Sequence, residues 1–263
     1  DSISINVKSI ESIDLLGNDH LAVSADGSKL SVIGSESNAL TILMLQLDET
    51  LADIPLESAR GVQWSPQDAQ KLLVYSSRDA LVWNDGNIMQ APGFNDLLRD
   101  EETILRGIWS PSGKFVAVWT DNNTPQQPSR IIVWDSDSGA LVASLIGHTE
   151  ALRDVIWSAN EDQLLTVGGR DNSTRIWNLT NDDSRNRPGE VLAIENQNTY
   201  PAAVAWSPNV SSVAIGNADG SLFIYDPESG EEQYQFENHT AVVDTLAWHP
   251  DSRQIASASD DGT

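Results

Sequence analysis

Four histidines, at positions 20, 148, 239 and 249, and 39 carboxylates hold most of the reactive chemistry available to this 263-residue chain. Imidazoles act as general bases or metal ligands, and helical metal sites announce themselves as closely spaced pairs. The four histidines are dispersed and show no such pair. Carboxylates gather around Ca²⁺ when they alternate along an Asp-x-Asp-x-Asp-Gly loop, and that run is absent; isolated pairs such as Asp219-Gly220 are turn chemistry instead. Neither a glycine-rich phosphate loop nor a nucleophile elbow is present. The chain has no cysteine, which excludes disulfides and thiolate metal sites. An enzyme reading has no positive support, and neither metal nor cofactor is expected.

The charge balance narrows the partners. Formal net charge is -24, with only 15 basic residues, so a polyanion meets repulsion over most of the surface. Nucleic acid is therefore not an expected partner. The acidity is spread over loops, as in Asp48-Glu49, Asp100-Glu101-Glu102, Asp182-Asp183 and Asp260-Asp261, which is the distribution of a solvated surface. No apolar run approaches a membrane span, and no basic-then-apolar targeting segment follows Asp1. Membrane insertion is not expected; the compartment stays open, with the cytoplasm favoured.

The elements that must position any functional group are written five times over. Trp64-Ser65-Pro66, Trp109-Ser110-Pro111, Trp157-Ser158-Ala159, Trp206-Ser207-Pro208 and Trp248-His249-Pro250 each close a short apolar run. Their spacing of roughly 42 to 49 residues is that of a supersecondary unit too small to bury its own apolar face, which stacks on copies of itself. Within one period the segments 203–206, 212–215, 221–225 and 233–236 read as four antiparallel strands, separated by Pro208-Asn209, Asp219-Gly220 and Pro227 to Gly230. A second aromatic anchor recurs as Trp83-Asn84, Trp134-Asp135, Trp177-Asn178 and Tyr225-Asp226, a flat ring suited to sealing neighbouring twisted sheets. An aliphatic copy of the unit runs from Val23 to Leu43. The expectation is an all-β propeller of four-stranded antiparallel blades, with essentially no helix. Its blades fall near 18–56, 57–101, 102–148, 149–198, 199–239 and an incomplete 240–263, as one domain across 1–263. Ile3, Ile5 and Val7 alternate with polar residues as a strand able to complete the last blade. Residues 84–102, 122–129 and 181–189 read as loop insertions.

With Trp134-Asp135, Gly147-His148 and the segment Ser257-Ala258-Ser259-Asp260-Asp261-Gly262-Thr263, the chain resembles the WD-repeat family of β-propellers over nearly its whole length. The resemblance implies a buried hydrogen-bonded chain of His, Ser or Thr, Asp and Trp within a blade. The fourth clear repeat offers His148, Asp171 and Trp177, with the hydroxyl at Thr166 or in register with Val167. The last repeat offers His239, Ser257 and Asp261. At the His position other repeats carry Pro55, Asp100 and Gln197, so packing must hold those blades. His, Ser and Asp are also the residue types of a hydrolytic triad, but inside a sheet they read as a satisfied structural network.

The resemblance further implies a protein or peptide partner bound at the top face, beside the start of each innermost strand. Carried over by position, that gives Asp19, Arg60, Leu105, Arg153, Ala202 and Asp244. The function expected is a non-catalytic scaffold for protein–protein interaction, with further domains of the same polypeptide among its partners and a seven-bladed ring as the whole. The alternative is a TolB-like or peptidase-associated propeller serving an envelope complex or gating an enzyme domain, which also uses Trp-Ser-Pro repeats.

Overall fold

The computed structural model describes residues 21–33, 39–44, 49–55, 59–90, 94–99, 102–122, 128–169, 171–179, 189–195 and 199–263. The first sheet comprises β1 (Leu21–Val23), β2 (Lys29–Ile33), β3 (Ala39–Met44) and β4 (Glu49–Pro55), and the second β5 (Ala59–Trp64), β6 (Lys71–Ser76), β7 (Ala80–Asn84) and β8 (Asn87–Gln90). After a short helix, α1 (Phe94–Leu97), come β9 (Glu102–Trp109), β10 (Phe115–Asn122), β11 (Arg130–Asp135) and β12 (Leu141–Ile146). The fourth sheet holds β13 (Leu152–Trp157), β14 (Gln163–Gly168), β15 (Ser173–Asn178) and β16 (Gly189–Glu195), and the fifth β17 (Pro201–Trp206), β18 (Val213–Asn217), β19 (Leu222–Tyr225) and β20 (Glu232–Phe236). A two-stranded sheet of β21 (Val243–Trp248) and β22 (Ile255–Ser259) follows. Within each sheet the strands lie in chain order, the arrangement of a propeller blade. Two compact units are distinguishable, residues 1–119 with 133–141 and residues 120–132 with 142–263.

The recurring Trp-Ser dipeptide has a local cause. In most repeats the serine hydroxyl accepts a backbone N–H at or just before the start of the next strand: Ser24 from Lys29 at 2.9 Å, Ser110 from Phe115 at 3.0 Å, Ser158 from Gln163 at 3.1 Å and Ser207 from Ser212 at 2.9 Å, whereas the buried Ser65 hydroxyl has no such partner. A buried hydroxyl thus closes the turn between the first two strands, where the chain reverses away from water. The aspartate after the second aromatic does the same for a later turn. Asp135 Oδ1 accepts the N–H groups of Asp137 and Ser138, and Asp226 Oδ1 those of Glu228 and Ser229.

One expected loop is a strand. Residues 84–102 contain β8, reached through Asp85 and Gly86 at φ of 42° and 93°. Two consecutive positive φ values make the tight turn that matches strand twist, so β7 folds straight back and Trp83 lies opposite Ile88. The remainder of that segment includes α1, whose Phe94 packs edge-on against Trp134 at 5.4 Å. Most of 122–129 and 181–189, and Ile3, Ile5 and Val7, lie outside the described residues.

Within the first unit, Trp64, Trp83, Leu72, Val74, Val62 and Leu81 form a buried cluster, with the two indoles edge to face at 6.2 Å. The first Trp of a repeat also ties its strand to the preceding sheet. Trp64 Nε1 donates to the Ala22 carbonyl at 3.1 Å and Trp109 Nε1 to that of Gln63 at 2.7 Å; in the second unit Trp248 Nε1 donates to Ala205 at 3.2 Å. In each case the acceptor precedes the equivalent Trp position of the earlier sheet. Lysines add a second tie in the first unit. Lys29 Nζ, poised above the Trp64 and Trp83 rings, donates to Ala69 O at 2.9 Å, and the equivalent Lys71 reaches Asp137 and Ser136. Sheets without the buried His are held by these ties as well as by packing.

Candidate functional site

In the second unit, β14, β15 and the turn between them bring Thr166, Asp171, Ser173 and Trp177 to His148, which lies in the connection from β12 to β13. His148 Nδ1 lies 2.8 Å from Asp171 Oδ2, and Nε2 lies 2.7 Å from Thr166 Oγ1, which accepts the Trp177 Nε1–H at 2.8 Å. The donors run in one direction if the imidazole is neutral with its proton on Nδ1: Trp177 to Thr166, Thr166 to His148, His148 to Asp171. The hydroxyl is that of Thr166, because the β14 register sets it opposite Val155 and Arg175, two residues along from the Leu164–Trp177 pair. His148 is 1% exposed and Thr166 fully buried. Asp171 also accepts the N–H groups of Thr149 and Ser173. Burial pushes its carboxyl pKa up, but the His148 hydrogen bond and charge, with the Ser173 hydrogen bonds, outweigh that and hold it below the usual value.

Gly168 completes this arrangement. A Cβ there would sit 1.8 Å from Asp171 Oδ1 and 2.6 Å from His148 Nδ1, so only glycine leaves room for the pair. The Ser173 and Gly168 contributions were not anticipated from sequence; the Gly-Gly pair at 168–169 was the available signal.

The last sheet repeats the motif more openly. His239 Nδ1 is 3.0 Å from Asp261 Oδ2, and Nε2 is 2.8 Å from Ser257 Oγ. Thr263 and Thr240 donate to the Asp261 carboxylate, which is held far below the ordinary range. Among the described residues no ring donates to Ser257 as Trp177 does to Thr166.

The residues carried over as partner-facing share a backbone feature that composition could not show. Pairing skips Arg60 between Ala59 and Gly61, Arg153 between Leu152 and Asp154, Ala202 between Pro201 and Ala203, and Asp244 between Val243 and Thr245. Each is the extra residue of a β-bulge at the start of the first strand of its sheet, and a bulge re-aims the side chain it carries. Arg60, Arg153 and Asp244 are exposed, Leu105 in β9 is 37% exposed, and Ala202 is half-buried. Asp19 lies outside the described residues. Arg153 stacks its guanidinium 5.2 Å over the ring of Tyr200, itself 40% exposed just before β17. Tyr200 was not singled out from sequence, where it looks like an ordinary loop aromatic.

Among the described residues no group of three or more His, Asp or Glu side chains is arranged to hold a metal ion. What the geometry defines is a series of antiparallel sheets, several of which carry a bulged position near the start of the first strand. Comparison with known proteins agrees. Residues 139–178 and 230–263 match the family model described as WD domain, G-beta repeat, and these two stretches are the ones that hold the His148 and His239 networks. By that match the chain carries WD repeats in these two stretches. It is 32% identical over 159 residues to Meiotic fizzy-related protein 1 of Schizosaccharomyces pombe, covering 59% of this chain and 34% of that protein. Protein FIZZY-RELATED 3 of Arabidopsis thaliana is 24% identical over 197 residues, 73% of this chain and 38% of that one. WD repeat-containing protein 1 of Gallus gallus is 26% identical over 159 residues, 59% and 24% respectively. The chain thus spans well under half the length of these relatives. Among solved structures, the β-propeller domain of Cps50 (Swd1) from Myceliophteria thermophila superposes with a TM-score of 0.59 at 12% identity, over 92% of this chain and 79% of that one. That likeness establishes the fold.

Proposed function

We propose that this chain is a non-catalytic scaffold that binds a protein or peptide partner through the bulged positions of its first strands. The observation that carries the reading is the recurrence of a residue skipped by the ladder at Arg60, Arg153, Ala202 and Asp244, exposed at all but Ala202. Strands hold these side chains in fixed places, and the exposed set of two arginines, an aspartate and Leu105 is the mixture that protein interfaces use. Tyr200 beneath Arg153 fixes one guanidinium in place before any partner arrives, which lowers the ordering entropy of binding. The relatives whose names mark them as fizzy-related support a regulatory binding role over an enzymatic one. His148 is engaged on both ring nitrogens and buried, so it serves stability rather than turnover.

The test is the double substitution Arg60→Glu with Arg153→Glu, compared with the parent chain by quantitative affinity capture and by thermal melting. Loss of specific captured proteins with an unchanged melting profile supports the reading. Equal capture by both would move the interface elsewhere.

A further inference from the structure

Arg153 is an uncommitted cation in a chain that carries 39 carboxylates against 15 basic residues. Among the described residues its guanidinium meets the Tyr200 ring and makes no salt bridge or hydrogen bond. The adjacent carboxylate, Asp154, turns Oδ1 back to the Val155 N–H at 2.9 Å. Asp171, in the turn that the Gly169 N–H ties to Ala151 O at 2.9 Å, is held by His148, Thr149 and Ser173. With net charge -24, an exposed arginine left without a counter-ion is out of character with its surroundings.

The guanidinium is nevertheless held in place. The bulge between Leu152 and Asp154 takes Arg153 out of the ladder, and its Cζ lies 5.2 Å over the Tyr200 ring. Tyr200 is fixed in turn. The buried Pro201 restricts the residue before it to extended backbone, and the Tyr200 carbonyl accepts the Ala218 N–H at 3.0 Å. A ring holds a cation through its quadrupole without supplying an oxygen acceptor, so the guanidinium N–H donors stay available. Their planar fork matches the two oxygens of a carboxylate. Arg60 occupies the same slot of the second sheet, but among the described residues no ring lies against it.

We infer that Arg153 on Tyr200 is a carboxylate-recognition site, across which the partner lays an extended segment bearing an aspartate or glutamate. This assignment rests on the partner-binding role proposed for the bulged positions and gives the bound segment its chemistry. Charge selects a carboxylate over a phosphoryl group. Phosphoryl recognition draws on clusters of arginines, and a dianion meets the repulsion of the acidic chain twice over, whereas one guanidinium and one carboxylate neutralise each other. Tyr200 is a positioning residue here: its ring orders the guanidinium before the carboxylate arrives, and its hydroxyl is not required.

A display library of random dodecapeptides selected on the full chain supplies the probe. Enriched peptides are expected to share an Asp or Glu. A synthetic copy should lose at least about tenfold in affinity when that residue becomes Asn or Gln, the size of a lost charge-assisted pair. Arg153→Gln should weaken the acidic peptide by the same factor and the amide peptide no further, and Arg153→Lys should restore only part of the loss. Tyr200→Ala should cost about three- to tenfold while Tyr200→Phe stays within about twofold of the parent, a rescue that separates positioning by the ring from a role of the hydroxyl. A copy with phosphoserine in place of the acid that binds more tightly, or an acidic peptide unaffected by Arg153→Gln, would overturn the assignment. Peptides that ignore Arg153 but are lost on Arg60→Glu or Asp244→Lys would remove this site and leave the bulged surface as the interface. Peptides indifferent to every bulge variant, or no enrichment at all, would overturn both.

Discussion

Replacing His148 by alanine removes the centre of a four-member hydrogen-bonded chain from a site that is 1% exposed. Three costs follow. Thr166 loses the acceptor for its hydroxyl proton, and its next nearest acceptor, Arg175 O, is 3.4 Å away. Asp171 loses its ring partner but keeps the N–H donors of Thr149 and Ser173, so its charge is not stranded. The imidazole leaves a void beside Trp177, whose ring centroid is 6.4 Å from that of His148. An unsatisfied buried hydroxyl and a small cavity together give an expected loss of about 2 to 4 kcal/mol. Urea unfolding followed by tryptophan fluorescence measures it as a lower midpoint at unchanged slope. Thr166→Val in the same background should be non-additive with His148→Ala by about 1 kcal/mol, since both act on one network. The pH dependence adds a sign. Asp171 has a depressed folded pKa, so its contribution is present above its unfolded value near 3.8 and is lost as pH falls through the lower folded value. The gap between parent and His148→Ala should therefore narrow on acidification below about pH 4. A loss under about 0.5 kcal/mol at neutral pH, the range of a neutral surface change, would refute the reasoning.

Gly168→Ala should destabilise at least as much as His148→Ala, because the new methyl would occupy the space of the His148–Asp171 contact; comparing their urea midpoints checks the order. Val118 stands nine residues after Trp109 as Thr166 stands nine after Trp157, and the buried Trp134 Nε1 has no acceptor. Val118→Thr should supply one and stabilise by about 1 kcal/mol, read from the same unfolding curve. Trp109→Phe keeps the apolar ring but deletes the 2.7 Å bond to Gln63 O, and should cost about 1 to 2 kcal/mol by thermal or urea denaturation.

Much of this architecture was legible in the sequence because its causes are local. A Trp-Ser step needs a buried hydroxyl to close a turn, and a Trp-Asp step needs a carboxylate to cap one, so the repeat could be read without knowing how the sheets stack. The network around His148 was legible by residue type, yet its hydroxyl was not, since adjacent strand residues point to opposite faces and only the pairing of β14 with β13 and β15 decides between Thr166 and Val167. β8 was hidden inside an apparent insertion. Its four residues are too few to show an alternation, and the Asp85-Gly86 turn was the one signal that they fold back on β7. The bulges had no compositional signature, because a skipped pair is a property of two strands together and Arg60, Arg153, Ala202 and Asp244 have no side-chain chemistry in common.

That last property separates what the scaffold must keep from what it can change. A residue that takes part in a ladder is constrained by its cross-strand neighbour, so altering it perturbs the sheet. A residue skipped by the ladder has no such neighbour. The bulged positions are therefore writable sites on a fixed frame: arginine, alanine and aspartate already occupy the same backbone slot in different repeats of one molecule. Single substitutions at these slots leave the core, the tryptophan ties and the His148 network as they are, and a library randomised only there would vary the chemistry of the bulges without sampling misfolding.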